Sequence, residues 1–464
     1  MLYKGNFVFD KTKHAGECEI DDKNNIIVTI NESDLLNINT SIVGYANSEY
    51  LTIHKPILIN NGIGFYKLQA YYMVKYRIPL RYKSVDFSKH IREFRFTFEP
   101  LNEWLNYEVI KQKNNIITFD MPEDIILYNN DDLKIKVKYY KESKQLNNNY
   151  IENISVIPYV CITSSKDMDI EKIKHHIQIV TRFFATLIGY TGNVNIIKFK
   201  KNYKGKNFFE KYEDDLIINC DFSNCFDIRL GYGIFDLRTS YKVLKKNLKN
   251  MFEKWFNIYT NSRFRESIIN YFNPYKSNTL EEEFLKLTKC LEKVSIAKED
   301  KKEKLVKNKE LHKIIDDFYI KYKDDLISSL KDKKIKKSYV SKIDEIHEEI
   351  ANCIVYKYSH RIDLAKRLKD SDINSELKQI FDTKHITRKN KDLSIYNYLA
   401  NTRNYYTHLD DDRYIIKAAY IPRYCRILEK LLIGELLKLI IDDEKYIKET
   451  MKKDRYLTAY DYKD

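Results

Sequence analysis

Seven runs in the first 165 residues carry apolar side chains at strand spacing: "NIIVTI", "EYLTIHKPILI", "FYKLQAYYMVKYRI", "EFRFTFEPL", "NIITFDM", "LKIKVKYY" and "ISVIPYVCITS". They are rich in β-branched and aromatic residues and are separated by Asn, Asp and Gly, the residues that punctuate strands. Strands that follow one another without intervening helices predict an antiparallel sandwich or barrel. One short helix interrupts them at "EPLNEWLNYEV", where Pro100 can open a first turn and Leu101, Trp104 and Leu105 fall on one face.

The period changes at Asp169. Ile170, Ile173, Ile177, Val180, Phe184 and Leu187 recur at helical spacing, with an acidic first turn and Gly189 near the end. Two strand-like pieces, "VNIIKF" and "DLIINC", follow. Residues 1–278 thus read as one β-rich module with a packed helix, and residues 279–464 as all-helical. "NTLEEEFLKLTKCLEKVSIAKED" opens with Asn278 and Thr279 as candidate caps and three glutamates, and aligns Leu280, Phe284, Leu287 and Leu291. Residues 298–345 are dense in Lys, Asp and Glu, with Leu311, Ile314, Ile315, Phe318, Ile320 and Leu326 interspersed, which predicts a charged helical insertion. Three more helices are expected: "DEIHEEIANCIVYKYSHRIDLAKRLKD", "LSIYNYLANTRNYYTHL" and a last one from Arg413 to Asp443 that Pro422 should kink or divide. The fold class is α+β.

Charge and cysteine usage alter this picture modestly. With 81 Lys+Arg against 67 Asp+Glu the chain carries +14, which favours a polyanionic partner through counterion release. A genome rich in A and T would enrich the same residue types, so charge alone does not name the partner. The N-terminus lacks a signal-peptide core, and "LLIGELLKLII" is broken by Glu435 and Lys438, so a cytoplasmic protein without a membrane span is expected. The seven cysteines are scattered; only Cys220 and Cys225 are neighbours, without a second pair at finger spacing, which predicts reduced thiols and no zinc. His175 and His176, about 100° apart on a helix, suit a surface or interface better than a metal.

One helix holds candidate chemistry. In "NYLANTRNYYTHLDDD", Asn404 and His408 lie one turn apart, while Arg403 points roughly 140° from His408 but is long enough to reach round. Leu399, Thr402, Tyr406 and Leu409 form the predicted buried stripe, leaving Arg403 and His408 off the core. Histidine can move a proton near neutral pH, and guanidinium can bind a phosphate and stabilise charge on its oxygens. Together they suit RNA cleavage by the ribose 2'-hydroxyl, which needs no metal. One histidine supplies a single acid or base at a time, so a two-fold assembly is expected. Arg and His five apart arise by chance in many charged helices, and the spacing alone does not assign catalysis.

"RNYYTH" followed by a long apolar helix, with "FLKLTKCLE" on an earlier one, resembles the HEPN ribonuclease domain, whose hallmark is Arg, a polar residue and then His. The likeness is greatest to the Apea-like branch, which carries a glutamate at the end of a pattern similar to "FLKLTKCLE", here Glu292. The first half is similar to the ApeA N-terminal domain through "SIVGYANSEYLTI", "FRFTFEPLNEWL" and "IQIVTRFFATLIGYTGNVNII". The resemblance implies a helical HEPN bundle after a β-rich sensing module, and an anti-phage endoribonuclease that halts translation in infected cells, with tRNA the expected substrate and no cofactor. It implies catalytic Arg403 and His408, with Asn404 orienting His408 or the phosphate, a homodimer or higher even oligomer through the HEPN domain, and a phage-derived trigger. Glu292 can hold Arg403 by an ion pair or stand as an exposed helical glutamate. Tyr405 can stack on a base, whereas Tyr406 is expected to pack. The charged stretch 298–345 is a departure, longer than the resemblance leads one to expect between the first HEPN helices.

Rival readings are weaker. Glu123 or Asp124 with Asp132 and Lys134 mimics a metal-dependent PD-(D/E)xK nuclease, a pattern common in strand-turn-strand sequence. Asp410 to Asp412 suit helix termination and capping of the next element better than metal ligation. "GYG" at 231–233 is too short for a phosphate loop. The non-enzymatic alternative is an RNA-binding or infection-sensing protein whose helical half only dimerises.

Overall fold

The computed structural model describes residues 1–9, 12–31, 41–76, 91–107, 109–113, 116–147, 150–194, 196–201, 214–225, 237–261, 265, 271–272, 279–298, 313–325, 327–328, 364–365, 368–369, 371, 374–408 and 412–453. The first half is strand-built. Its strands are β1 (Leu2–Phe9), β2 (Thr12–Ile20), β3 (Ile26–Ile30), β4 (Ile42–Ala46), β5 (Glu49–His54), β6 (Ile57–Gly62), β7 (Phe65–Ala70), β8 (Tyr72–Tyr76) and β9 (Ile91–Phe96). They continue as β10 (Ile110–Lys113), β11 (Ile116–Phe119), β12 (Ile125–Asn129), β13 (Leu133–Asn147), β14 (Tyr150–Met168), β15 (Tyr190–Thr191), β16 (Ile197–Lys201), β17 (Asp214–Ile218) and β18 (Asn224–Cys225).

Fourteen of these strands form one antiparallel sheet in the order β12-β13-β14-β9-β16-β17-β8-β5-β4-β1-β2-β3-β7-β6. The ladder itself shows that the sheet curls. In a flat sheet β7 and β8 would stand six strand spacings apart, roughly 29 Å at the usual ~4.8 Å per strand, yet only Tyr71 joins them. Likewise Cys18 Sγ of β2 meets Met73 Sδ of β8 at 3.8 Å across four intervening steps of the ladder. Phe7, Val28, Ile53, Leu68, Met73 and Ile217 lie in the resulting core. Phe7 fills it because its partner in β4 is Gly44: a Cβ there would come within 2.7 Å of the Phe7 ring.

Beside the sheet, α1 (Leu101–Leu105) buries Leu101, Trp104 and Leu105, as its spacing predicts. The long α2 (Ile170–Ile188) starts where Asp169 accepts a hydrogen bond from the Lys172 amide and ends where Gly189 takes a φ of 107°. Its predicted stripe is buried, but so are Ile179, Thr181, Arg182 and Phe183, because a second layer covers its other side. Thr239 donates to the Leu187 carbonyl, and Trp255 Nε1 donates to the Ile179 carbonyl at 3.0 Å. That layer contains α3 (Tyr241–Leu244) and α4 (Leu248–Asn261).

Two compact units emerge, one of Met1–Asn257 with Leu437–Ala459 and one containing Ile258–Leu436. The boundary read from sequence lay at 278; the units divide at 257 and again at 437. In the first unit the returning segment is tied back by Lys254 Nζ to the Asp442 carboxylate at 2.7 Å and by the Ser240 amide to the Tyr446 hydroxyl at 3.3 Å. The second unit is helical. Among its described elements are α5 (Leu280–Lys298), α6 (Asn374–Ile380), α7 (Ile395–His408) and the first part of α8 (Ile421–Ile440); α9 (Glu444–Lys453) follows in the returning segment. Pro422 neither kinks nor splits a longer helix. It stands in the first turn of α8, where its missing N–H costs nothing, and the chain before it forms short 3-10 turns. Within the charged stretch, residues 313–325 are helical with Ile314, Phe318 and Ile320 exposed, while Leu311 and Leu326 lie outside the described residues. Most of the expected helix 344–370 also lies outside them. Among the described residues no helix is long and apolar enough to cross a membrane.

Candidate functional site

Packing of α5 against α7 brings the candidate residues together. On α5, Phe284, Leu287 and Leu291 are buried on the predicted stripe, and Leu280 is half-buried. On α7, Ile395, Tyr396, Tyr398, Leu399, Ala400 and Thr402 are buried. Thr402 Oγ1 donates to the Tyr398 carbonyl at 2.7 Å and accepts the Ile416 amide at 2.9 Å, which anchors the middle of the helix to the chain beyond it. Of the rest of the expected stripe, Tyr406 is half-buried and Leu409 lies outside the described residues.

Glu292 and Arg403 face each other across this interface. Arg403 Nη2 donates to Glu292 Oε2 at 2.5 Å, and the two side chains are only 11% and 7% exposed. Arg403 Nη1 donates to Asn404 Oδ1 at 2.8 Å, and Asn404 is itself buried. The guanidinium is therefore clamped by two neighbours, and its buried Nε–H makes no hydrogen bond. This corrects the expectation of an Arg403 off the core and free to meet a ligand: a carboxylate from another helix draws it inward, since a buried charge must be paired. Of the two possibilities for Glu292, the ion pair is the one present.

His408 is exposed at the last position of α7. Asn404, one turn earlier on the same face, is buried, so the helix emerges from its packing between these two residues. Tyr405 and Tyr406 meet edge to face at 5.2 Å, both half-buried. Burial pushes the Tyr406 hydroxyl up, and the Glu281 carboxylate adds to the effect. The helix ends before the acidic run; Asp410 and Asp411 lie outside the described residues, and Asp412 begins a 3-10 turn.

Other sequence candidates sit elsewhere. Asp124 pairs with Lys136 at 2.7 Å, and Asp132 accepts from Lys166 at 2.9 Å and from the Ser165 hydroxyl at 2.8 Å, so these two carboxylates of the metal-nuclease pattern each have a lysine, and Glu123 is exposed. His175 and His176 are half-buried on α2 with ring centres 6.1 Å apart. Burial, with smaller contributions from His175 and Lys172, lowers the His176 pKa to about 4. Among the described residues, no group of three or more His, Cys, Asp or Glu side chains is placed to hold a metal ion. The 231–233 glycine pair lies outside the described residues.

Sequence reasoning passed over one feature of the site, the strap 384–391. It pairs with 413–417 through the Ile386–Ile416 bridge and is held to α7 by the Tyr398 hydroxyl, which donates to the Arg388 carbonyl and accepts the Asn390 amide. Its local pattern is a buried pair, His385 and Ile386, between exposed Lys384 and Thr387, too short to show a period. No family model, curated protein or solved structure matches this chain, so the likeness to HEPN ribonucleases rests on the residues just described.

Proposed function

We propose that the helical unit is a metal-independent endoribonuclease of the HEPN type, serving an anti-phage defence that aborts infection by cutting RNA, tRNA being the first candidate. The observation that carries this reading is the Glu292–Arg403–Asn404 network set beside an exposed His408 at the end of one helix. In this reading Glu292 and Asn404 hold the guanidinium in place, and Arg403 would meet the scissile phosphate only through the N–H groups that those two partners leave unused. Preorganised charge of this kind is worth most where it need not reorganise during reaction. His408 takes or gives a proton: as base it removes the ribose 2'-hydroxyl proton, that oxygen attacks phosphorus, and the 5'-oxygen leaves with a proton from an acid. The products carry 2',3'-cyclic phosphate and 5'-hydroxyl ends. Tyr405 offers a partly exposed ring for stacking a base. A homodimer through the helical unit supplies the second proton-transfer group. The strand-built unit is assigned the sensing of a phage-derived trigger.

The test is full-length protein with total tRNA in EDTA, with product ends analysed for cyclic phosphate. Cleavage that disappears on chelation would exclude the metal-free mechanism. A second reading draws on the same ion pair: an arginine buried against a glutamate can serve packing alone, in a module that binds RNA and only dimerises. His408→Ala decides between them. Cleavage lost with the fold intact supports the nuclease, and cleavage that survives removes His408 from the site.

A further inference from the structure

The strap beside α7 concentrates charge of one sign. From Lys384 to Lys391 the chain carries Lys384, Arg388, Lys389 and Lys391, all exposed, and no carboxylate; Asp382 and Asp392 bracket the run. The facing segment, bridged at Ile386–Ile416, adds exposed Arg413 and Lys417. These cations do not ride on a loose loop. The Thr387 amide donates to the Ile415 carbonyl at 2.9 Å, and the Lys417 amide to the His385 carbonyl at 2.8 Å. Thr387 Oγ1 also donates to the Arg413 carbonyl at 2.8 Å. Ile386 and Ile416 turn inward and are buried. Two side chains of α7 hold the assembly: Tyr398, bonded to the backbone of Arg388 and Asn390, and Thr402, bonded to the Ile416 amide. Thr402 immediately precedes Arg403.

Like charges crowded on an anchored backbone repel one another, and an anion removes that cost. The two ends of the cluster have partial compensation, the Lys417 ammonium from the Lys384 carbonyl at 2.9 Å and the Lys384 ammonium from Asp382 at 3.7 Å, which leaves Arg388, Lys389 and Lys391 as the stretch without a carboxylate among them. Exposed lysines and arginines scattered over a surface are ordinary. Here the run lies on one strap, its apolar residues face the other way, and its anchor points are on the helix that carries Arg403 and His408. We propose that the strap is a phosphate-binding track that seats an RNA backbone along α7, with Arg388, Lys389 and Lys391 as its main contacts; their Tyr398 anchor lies about 15 Å of helix before His408, so the track would hold the strand a short way from the reacting groups. The proposal rests on the ribonuclease reading for the identity of the polyanion. Contacts of this kind carry no sequence information; they set register and bring the strand to the reacting groups.

The experiment uses the full chain carrying His408→Ala, so that labelled tRNA is not consumed, and measures affinity against salt concentration. Reversal of Arg388, Lys389 and Lys391 to Glu should weaken binding at least about tenfold near 0.1 M salt. It should also make the slope of log K against log salt shallower by about 2, three contacts at roughly 0.7 each. Replacement of the three by Gln, a milder change for the fold, should give a similar slope change with a smaller loss. Reversal of Lys242, Lys246 and Lys249, exposed residues of the other unit, alters net charge equally and should leave the slope unchanged. Equal losses in both sets, an unchanged slope in the strap variants, or no binding by the His408→Ala protein would overturn the track. Strap-dependent binding by a protein that never cleaves would overturn the nuclease and keep the track. Cleavage with strap-independent binding would do the reverse.

Discussion

Arg403 and Glu292 are separated by 111 residues yet share a charged contact of 2.5 Å between two helices. Both are nearly buried, so removing one partner leaves an uncompensated charge, a change that typically costs about 3–5 kcal/mol. Glu292→Ala should therefore lower the urea midpoint of the helical unit substantially, and Glu292→Gln, which keeps an acceptor, should lower it less; an effect under about 0.5 kcal/mol for the alanine variant would show the pair to be stabilising nothing. His408→Ala, at an exposed helix end, should shift stability by no more than about 0.5 kcal/mol. This contrast also marks what was legible at the site. The exposure of His408 could be read from its place at the end of an amphipathic run. The burial of Arg403 could not, because its partner lies on a helix far away in sequence and a local pattern sees only the arginine. A third residue has a pH signature. His176 is held at about pKa 4 in the fold, below its ordinary 6.5, so the unfolded chain binds its proton more readily. Its contribution is present in full above about pH 6.5 and is lost as the pH falls toward and below 4, by roughly 3 kcal/mol for the difference between 6.5 and about 4 at ~1.36 per pKa unit. His176→Gln should make the unfolding midpoint of the strand-built unit less sensitive to pH across that window, and an unchanged acid sensitivity would remove His176 as its source.

At the scale of elements, α2 was almost fully readable, because period, N-cap and terminal Gly189 agree on one helix. From β3 onward most strands fall in the apolar runs, as does β7, whose buried positions are every second residue, while β4, β10, β12, β15 and β18 lie outside them. β1 and β2 went unread. Their 17 residues hold Gly5, Gly16 and several Lys, Glu and His positions that weaken the strand signal, and they are strands because each pairs with neighbours on both sides. Sandwich and barrel could not be told apart for the same reason. Curling depends on the ladder order, a long-range property, and shows itself only in such contacts as Cys18 with Met73. The β1–β4 pair makes this testable. Gly44 leaves room for the Phe7 ring at the heart of the curl, and a methyl group there must displace either the ring or the strand. Gly44→Ala should destabilise the strand-built unit by about 1–3 kcal/mol in thermal unfolding. Adding Phe7→Leu should recover part of the loss if the ring is the obstacle; no recovery would place the strain in the backbone.

For the whole molecule, the chemistry and the chain's single imidazole at the proposed site set a stoichiometric demand. Cleavage by 2'-hydroxyl attack needs a base at one oxygen and an acid at another within one turnover, and His408 can be only one of these at a time. A two-fold assembly brings its symmetry mate as the second group, and a two-fold interface presents the same surface from both copies. The full-length protein should then cleave with a rate that rises as the square of its concentration where the pair is largely dissociated, and linearly once the pair is saturated. Mixing tests the same demand without relying on dissociation. If wild-type chains are diluted about tenfold with His408→Ala chains and allowed to exchange partners, random pairing leaves roughly one pair in a hundred with two imidazoles. Activity per wild-type chain should drop to about a tenth of its undiluted value. Activity that instead tracks the number of wild-type chains would mean that each copy completes the reaction alone. The acid would then have to come from a group in the same chain, and the half-buried Tyr405 beside Arg403 and Asn404 would be the first residue to substitute.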